Sequence, residues 1–142
     1  MVINAVLIAK AMGCAFFAIL FIQSGFDKIF DRKGNLEWMV PHFAKSAFKN
    51  LVPLLLSALT VLEVASGLGA LAALYFVLFT ANHGYAVLGL SLSGLAFLCL
   101  FLGQRVAKDY AAAVTLASYF AVWLITMYLL AVGYEISRFA MP

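Results

Sequence analysis

From Val64 to Gln104 the chain carries no acidic or basic side chain apart from His83. As a single helix rising about 1.5 Å per residue, this run would reach roughly 60 Å, twice the hydrocarbon thickness of a bilayer. It must therefore turn back. Thr80-Ala81-Asn82-His83-Gly84 is the one cluster of turn-forming residues within it. That single fold predicts two membrane-crossing helices, at about 51–79 and 84–103.

The rest of the chain follows the same logic. Another apolar segment runs from about residue 3 to 30 and a last one from about 110 to 134. Hydrophobic residues make up 66% of the 142 residues and charged residues only 11%. A soluble domain carries roughly 25% charged residues. This polypeptide lacks the polar surface to cover a globule in water, and lipid is the solvent that tolerates it. The expected fold is all-α: one domain spanning 1–142, an integral membrane four-helix bundle. Four segments cannot close a barrel, so the spans must satisfy their backbones as helices. Lys10 precedes Cys14 and the apolar run follows it, so the first segment reads as a retained span, not a lipoprotein signal.

Between the first two spans lies an amphipathic stretch, 34–50. Leu36, Val40, Phe43 and Ala47 recur near helical spacing, with Trp38 among them. It reads as a short interfacial helix interrupted at Pro41. Lys28, Arg32, Lys33, Lys45 and Lys49 occupy that connection, and Arg105 and Lys108 the connection between the third and fourth spans. The tendency of basic residues to stay inside places both connections in the cytoplasm and both termini outside. Lys45, Lys49, Arg105 and Lys108 are candidates for contact with lipid headgroups or small anions. The net charge of +3 sits beside membrane segments, so it points to lipid and not to nucleic acid. Small residues at Ser66/Ala70, Gly89/Ser93 and Ala111–Ala113/Ala117 allow close helix approach.

Glu63 is the most informative residue. It lies about 12 residues into the second span, roughly 18 Å along it. An ionised carboxylate there is expensive, so the group is either protonated or paired. Ser93 and Tyr119 fall near its level, and Gln23 somewhat nearer the charged face. These four are the expected polar layer, serving either chemistry or helix register. Gln23 and Asp27 share one helical face, and Ser24 and Lys28 another. Lys28 can snorkel to the membrane face or reach a carboxylate or anionic ligand. His42 is a candidate proton carrier at the membrane face. Cys14 and Cys99 lack CxxC spacing and read as buried thiols. No cluster has the spacing of a metal site or haem ligation pair.

Ser24-Gly25-Phe26-Asp27-Lys28-Ile29-Phe30 and Leu62-Glu63-Val64-Ala65-Ser66-Gly67-Leu68, together with four spans of this length, resemble the DoxX-like family of small four-helix membrane proteins. Gly25, Lys28, Glu63 and Gly67 are the matching positions. The resemblance implies the inner membrane of a bacterium or archaeon and association with a redox complex. The expected role is an accessory subunit, quinone-proximal or proton-conducting, with no intrinsic cofactor and room for a bound quinone or lipid. Its partners would be the bilayer and other membrane subunits, or copies of itself. A purely structural scaffold is the alternative, and a small-solute transporter a more distant one. The absence of a cysteine pair argues against direct thiol–disulfide chemistry.

Overall fold

A computed structural model describes residues 5–80 and 83–139, with side chains through residue 135. The elements are α1 (Ala5–Phe30), α2 (Arg32–Phe43), α3 (Val52–Phe79), α4 (Gly84–Ala107) and α5 (Tyr110–Phe139). Four of these, all but α2, contain a stretch long and apolar enough to cross a bilayer. The chain is a multi-pass, all-α membrane four-helix bundle. Large apolar residues such as Ile19, Leu54, Val61, Leu88, Val114 and Ile125 stand exposed on its outer faces, where lipid rather than water would meet them.

The sequence places each boundary. Asp31 caps α2 by accepting from the Gly34 amide at 3.0 Å. Pro53 stands in the first turn of α3, where an amide N–H has no helical partner. Asp109 accepts from the Ala112 amide at 3.0 Å and so caps α5. The third span outlasts its apolar stretch. It continues through Gln104–Ala107 until Lys108 takes a left-handed conformation with φ 61°. The fourth likewise continues to Phe139. Polar residues do not end a helix by themselves; a change of backbone conformation does. Of the expected turn at 80–84, Ala81 and Asn82 lie outside the described residues. Thr80 closes α3 and His83 precedes α4, as the turn requires. The side chain of Arg138 also lies outside the description.

The spans form a ring in chain order, α1–α3–α4–α5, with α5 returning to α1. The α1–α3 and α3–α4 seams are the most extensive, and glycines explain why. A Cβ on Gly67 would meet the Ile22 amide nitrogen at 2.8 Å, and one on Gly25 the Val64 amide nitrogen at 3.1 Å. The backbones of α1 and α3 therefore touch at two neighbouring points. Gly69 and Gly89 similarly bring α3 against α4. Around these seams Cys14, Phe17, Phe21, Ala70, Ala73, Leu90 and Phe97 form the main core. Phe97 packs against Phe21 and Phe17 with ring centroids 4.9 Å and 5.7 Å apart.

The interfacial segment departs from expectation. Helix α2 begins at Arg32 and passes through Pro41, ending two residues later. Pro41 sits so near the end that its missing N–H removes one hydrogen bond without breaking a longer helix. The packed face is Leu36, Met39 and Phe43, against Val52 and Leu56 of α3. Val40 and Ala47 of the expected stripe are exposed: Val40 stands on the outer side of α2, and helical periodicity stops at Phe43, before Ala47. Arg32 ties α2 to α3, donating to the Pro53 carbonyl at 3.2 Å and to Ser57 Oγ at 2.8 Å.

Candidate functional site

Glu63 is 1% exposed. Its Oε2 pairs with Lys28 Nζ at 2.7 Å and accepts from Ser24 Oγ at 3.1 Å. Lys28 also donates to Ser24 Oγ at 2.8 Å and to the Ser24 carbonyl at 3.3 Å. Lysine, serine and carboxylate thus close a triangle across the α1–α3 seam. The i, i+4 spacing puts Ser24 and Lys28 on one face of α1, and the Gly25–Val64 contact brings that face to Glu63. A buried carboxylate in this setting is compensated both by an opposite charge and by hydrogen bonds.

The structure pairs Glu63 with Lys28, which the sequence marked separately as able to reach a carboxylate. Of the other members of the expected layer, Gln23 is exposed, one residue from the serine that makes the contact. Tyr119 is half-buried and packs against Phe16 and Phe97, at ring-centroid distances of 6.0 Å and 6.3 Å. Ser93 is fully buried in α4. Glu63 also lies closer to the charged face than a count from the start of its own helix suggests. The first turns of α3 run beside α2, where Val52 and Leu56 join the smaller core. Measured on α1, the carboxylate stands within the last two turns.

A cavity of about 340 Å³ opens beside this triangle. Lys28 forms part of its wall; Trp38, Met39 and Phe43 of α2 cover it, and Leu59, Leu62 and Leu100 line its apolar side. Asn35 and Gln104 add neutral polar groups. Cys99 also faces this space and is exposed, in contrast to its expected burial; Cys14 is buried as expected. A thiol on the cavity wall is set by the rotation of α4, which apolar composition alone does not reveal.

His42 secures the rim. Its Nε2 lies 2.9 Å from Gln104 Oε1 and 3.8 Å from Asp109 Oδ2, and its ring stacks on Trp38 at 4.4 Å. Bonding to an amide oxygen requires the hydrogen on Nε2. Lys45, Lys49, Arg105 and Lys108 are all exposed at this end. The Arg105 guanidinium lies 4.8 Å from the centre of the Tyr110 ring.

At the opposite end Lys10 is buried, not flanking the span: a side chain on Gly133 would strike its ammonium. His83 stands nearby, half-buried. Burial, and then the Lys10 charge, hold its pKa below the usual 6.5. A lowered histidine pKa means the unfolded chain binds the proton more readily than the folded one. His83 therefore leaves stability undiminished above about pH 6.5, and stability falls as pH drops toward its folded pKa. Thermal unfolding between pH 7 and pH 5 is expected to show this slope, and His83→Gln to flatten it.

Sequence reasoning missed Ser24 as the bridging hydroxyl, although its i, i+4 relation to Lys28 was visible. It also missed Asn35 and Gln104, whose convergence depends on how α2 folds over the bundle. No protein-family model, curated protein or solved structure matches this chain.

Proposed function

We propose that the chain is an accessory subunit of a membrane redox complex, holding a quinone-like amphipathic molecule beside the Lys28–Glu63 pair. The observation that carries this reading is the 340 Å³ cavity, apolar over most of its wall and bordered by one cation. Sites for such ligands combine a largely apolar lining with a few polar groups that orient the head. Lys28 would donate to a ring carbonyl oxygen, Trp38 would lie along the ring, and the Leu59/Leu62 side would take the tail. The Lys28–Ser24–Glu63 triangle would keep an exchangeable proton next to that oxygen. Electrons would come from a partner subunit. The resemblance to DoxX-like proteins favours the same role, and the distribution of Lys and Arg favours a cytoplasmic position for the cavity end in a bacterial or archaeal inner membrane.

Fluorescence tests this directly. The chain has two tryptophans, so Trp123→Phe leaves Trp38 as the only reporter. A short-chain benzoquinone is expected to quench Trp38 saturably. Lys28→Gln should weaken the apparent affinity about tenfold, the equivalent of one charge-assisted hydrogen bond of roughly 1.5 kcal/mol. Linear quenching that ignores Lys28 would reflect partition into detergent and defeat the reading.

A scaffold role is the second reading, and α5 favours it. Only 11% of its spanning window is buried inside the bundle, against 28–33% in the other spans, leaving a broad apolar face for another membrane subunit. There the ion pair would serve register alone. Stoichiometric co-purification of a partner, unaffected by Glu63→Gln, would support it.

A further inference from the structure

Hydroxyls inside lipid-embedded helices usually bond back to the carbonyl four residues earlier. Thr60, Ser91, Ser118 and Thr126 do so here, at 2.7 Å, 2.8 Å, 3.1 Å and 3.0 Å. Ser66 and Ser93 do not. Each is 0% exposed, and neither Oγ has a hydrogen-bond partner among the described residues. A buried hydroxyl without a partner is costly where no bulk water can reach it.

Their positions give these two residues a common meaning. Gly69 of α3 and Gly89 of α4 are in backbone contact. Ser66 precedes Gly69 by three residues and Ser93 follows Gly89 by four. In antiparallel helices both steps lead one turn from the crossing toward the Glu63 end. Ser66 also follows Glu63 by three residues on the buried face of α3, a spacing that places side chains roughly 5–6 Å apart. Register thus puts two orphaned hydroxyls and a carboxylate on the same side of the glycine crossing. On the other side Ala70 and Ala73 of α3 and Ala86 of α4 are fully buried.

We propose that Ser66 and Ser93 hold a bound water hydrogen-bonded to the Glu63 carboxylate, forming a blind polar spur off the Lys28–Glu63–Ser24 triangle. Two hydroxyls and a carboxylate oxygen supply the two to four polar partners that a buried water requires. The Gly69–Gly89 contact closes the spur toward the far face. Any proton at Glu63 therefore exchanges only with the cavity side, and the chain is a one-sided proton reservoir, not a transmembrane conductor. This deepens the reading of Glu63 as the proton-bearing group of the cavity, although the water site itself needs no quinone.

A double-mutant cycle on the detergent-solubilised protein without quinone tests the site. Ser66→Ala and Ser93→Ala are each expected to lower the thermal midpoint, and the double variant to fall little further, because both hydroxyls serve one water. The infrared stretch of Glu63, assigned with Glu63→Gln, should shift in either single variant. Neutral or additive substitutions with an unmoved Glu63 band would overturn the shared water, leaving quinone binding to stand or fall on its own titration. In sealed vesicles containing a pH-sensitive dye, the protein should conduct protons no faster than empty vesicles. Flux that Ser66→Ala abolishes would overturn the closed end.

Discussion

Lys28→Met is expected to destabilise the bundle by about 3–5 kcal/mol, the usual consequence of stranding one member of a buried ion pair. The carboxylate left behind is 1% exposed and would retain only the Ser24 hydroxyl as a side-chain partner. It has no bulk water to recover, only the single water proposed at Ser66 and Ser93, and no second cation among its described contacts. Lys28→Met combined with Glu63→Leu should restore most of the loss, because a pair replaced by apolar groups of similar volume is often neutral. Unfolding in mixed micelles, followed by circular dichroism, measures both steps. A single variant as stable as the parent would show that Glu63 tolerates isolation, and would remove the energetic argument for the triangle. The comparison also separates stability from function: the double variant should fold yet bind quinone no better than Lys28→Gln does.

Gly67→Val should be nearly as damaging, at about 3 kcal/mol, the upper end of the usual overpacking range. The Cβ it introduces would press on the Ile22 backbone nitrogen at 2.8 Å, and backbone cannot swing aside as a flexible side chain can. Moving α1 away from α3 would also lengthen the 2.7 Å Lys28–Glu63 contact one turn along the seam. Loss of stability should therefore be accompanied by loss of the Trp38 quenching signal. Gly103→Ala is the control: a Cβ there meets only the Phe43 ring, at an ordinary 3.7 Å, and should be tolerated.

The sequence made the spans legible because lipid imposes a coarse rule, and an uncharged run too long for one crossing has to turn. It also singled out Glu63, since a lone carboxylate in such a run is conspicuous, and Lys28, since it can reach one. The partnership of Ser24 was harder to see. Serine is unremarkable in a membrane helix, and its role depends on the two glycine contacts that set the rotation of α1 against α3. Tyr119 and Gln23 shared the expected depth but not the facing, because depth along a helix says nothing of azimuth. Met39 replaced Val40 on the packed face of α2 for the same reason: both stand one turn from Leu36, and spacing alone does not choose between them. The cavity was the least legible feature, since its walls come from four helices and the connection between α2 and α3.

Ser24, Lys28, Glu63 and every residue lining the cavity fall between residues 24 and 104. The final stave, α5, supplies none of them. Polypeptides emerge and begin to organise from the amino-terminal end. During biogenesis the binding chamber can thus be assembled while the last span is still leaving the ribosome, and that late arrival finishes the barrel-stave wall without having to rearrange what it encloses.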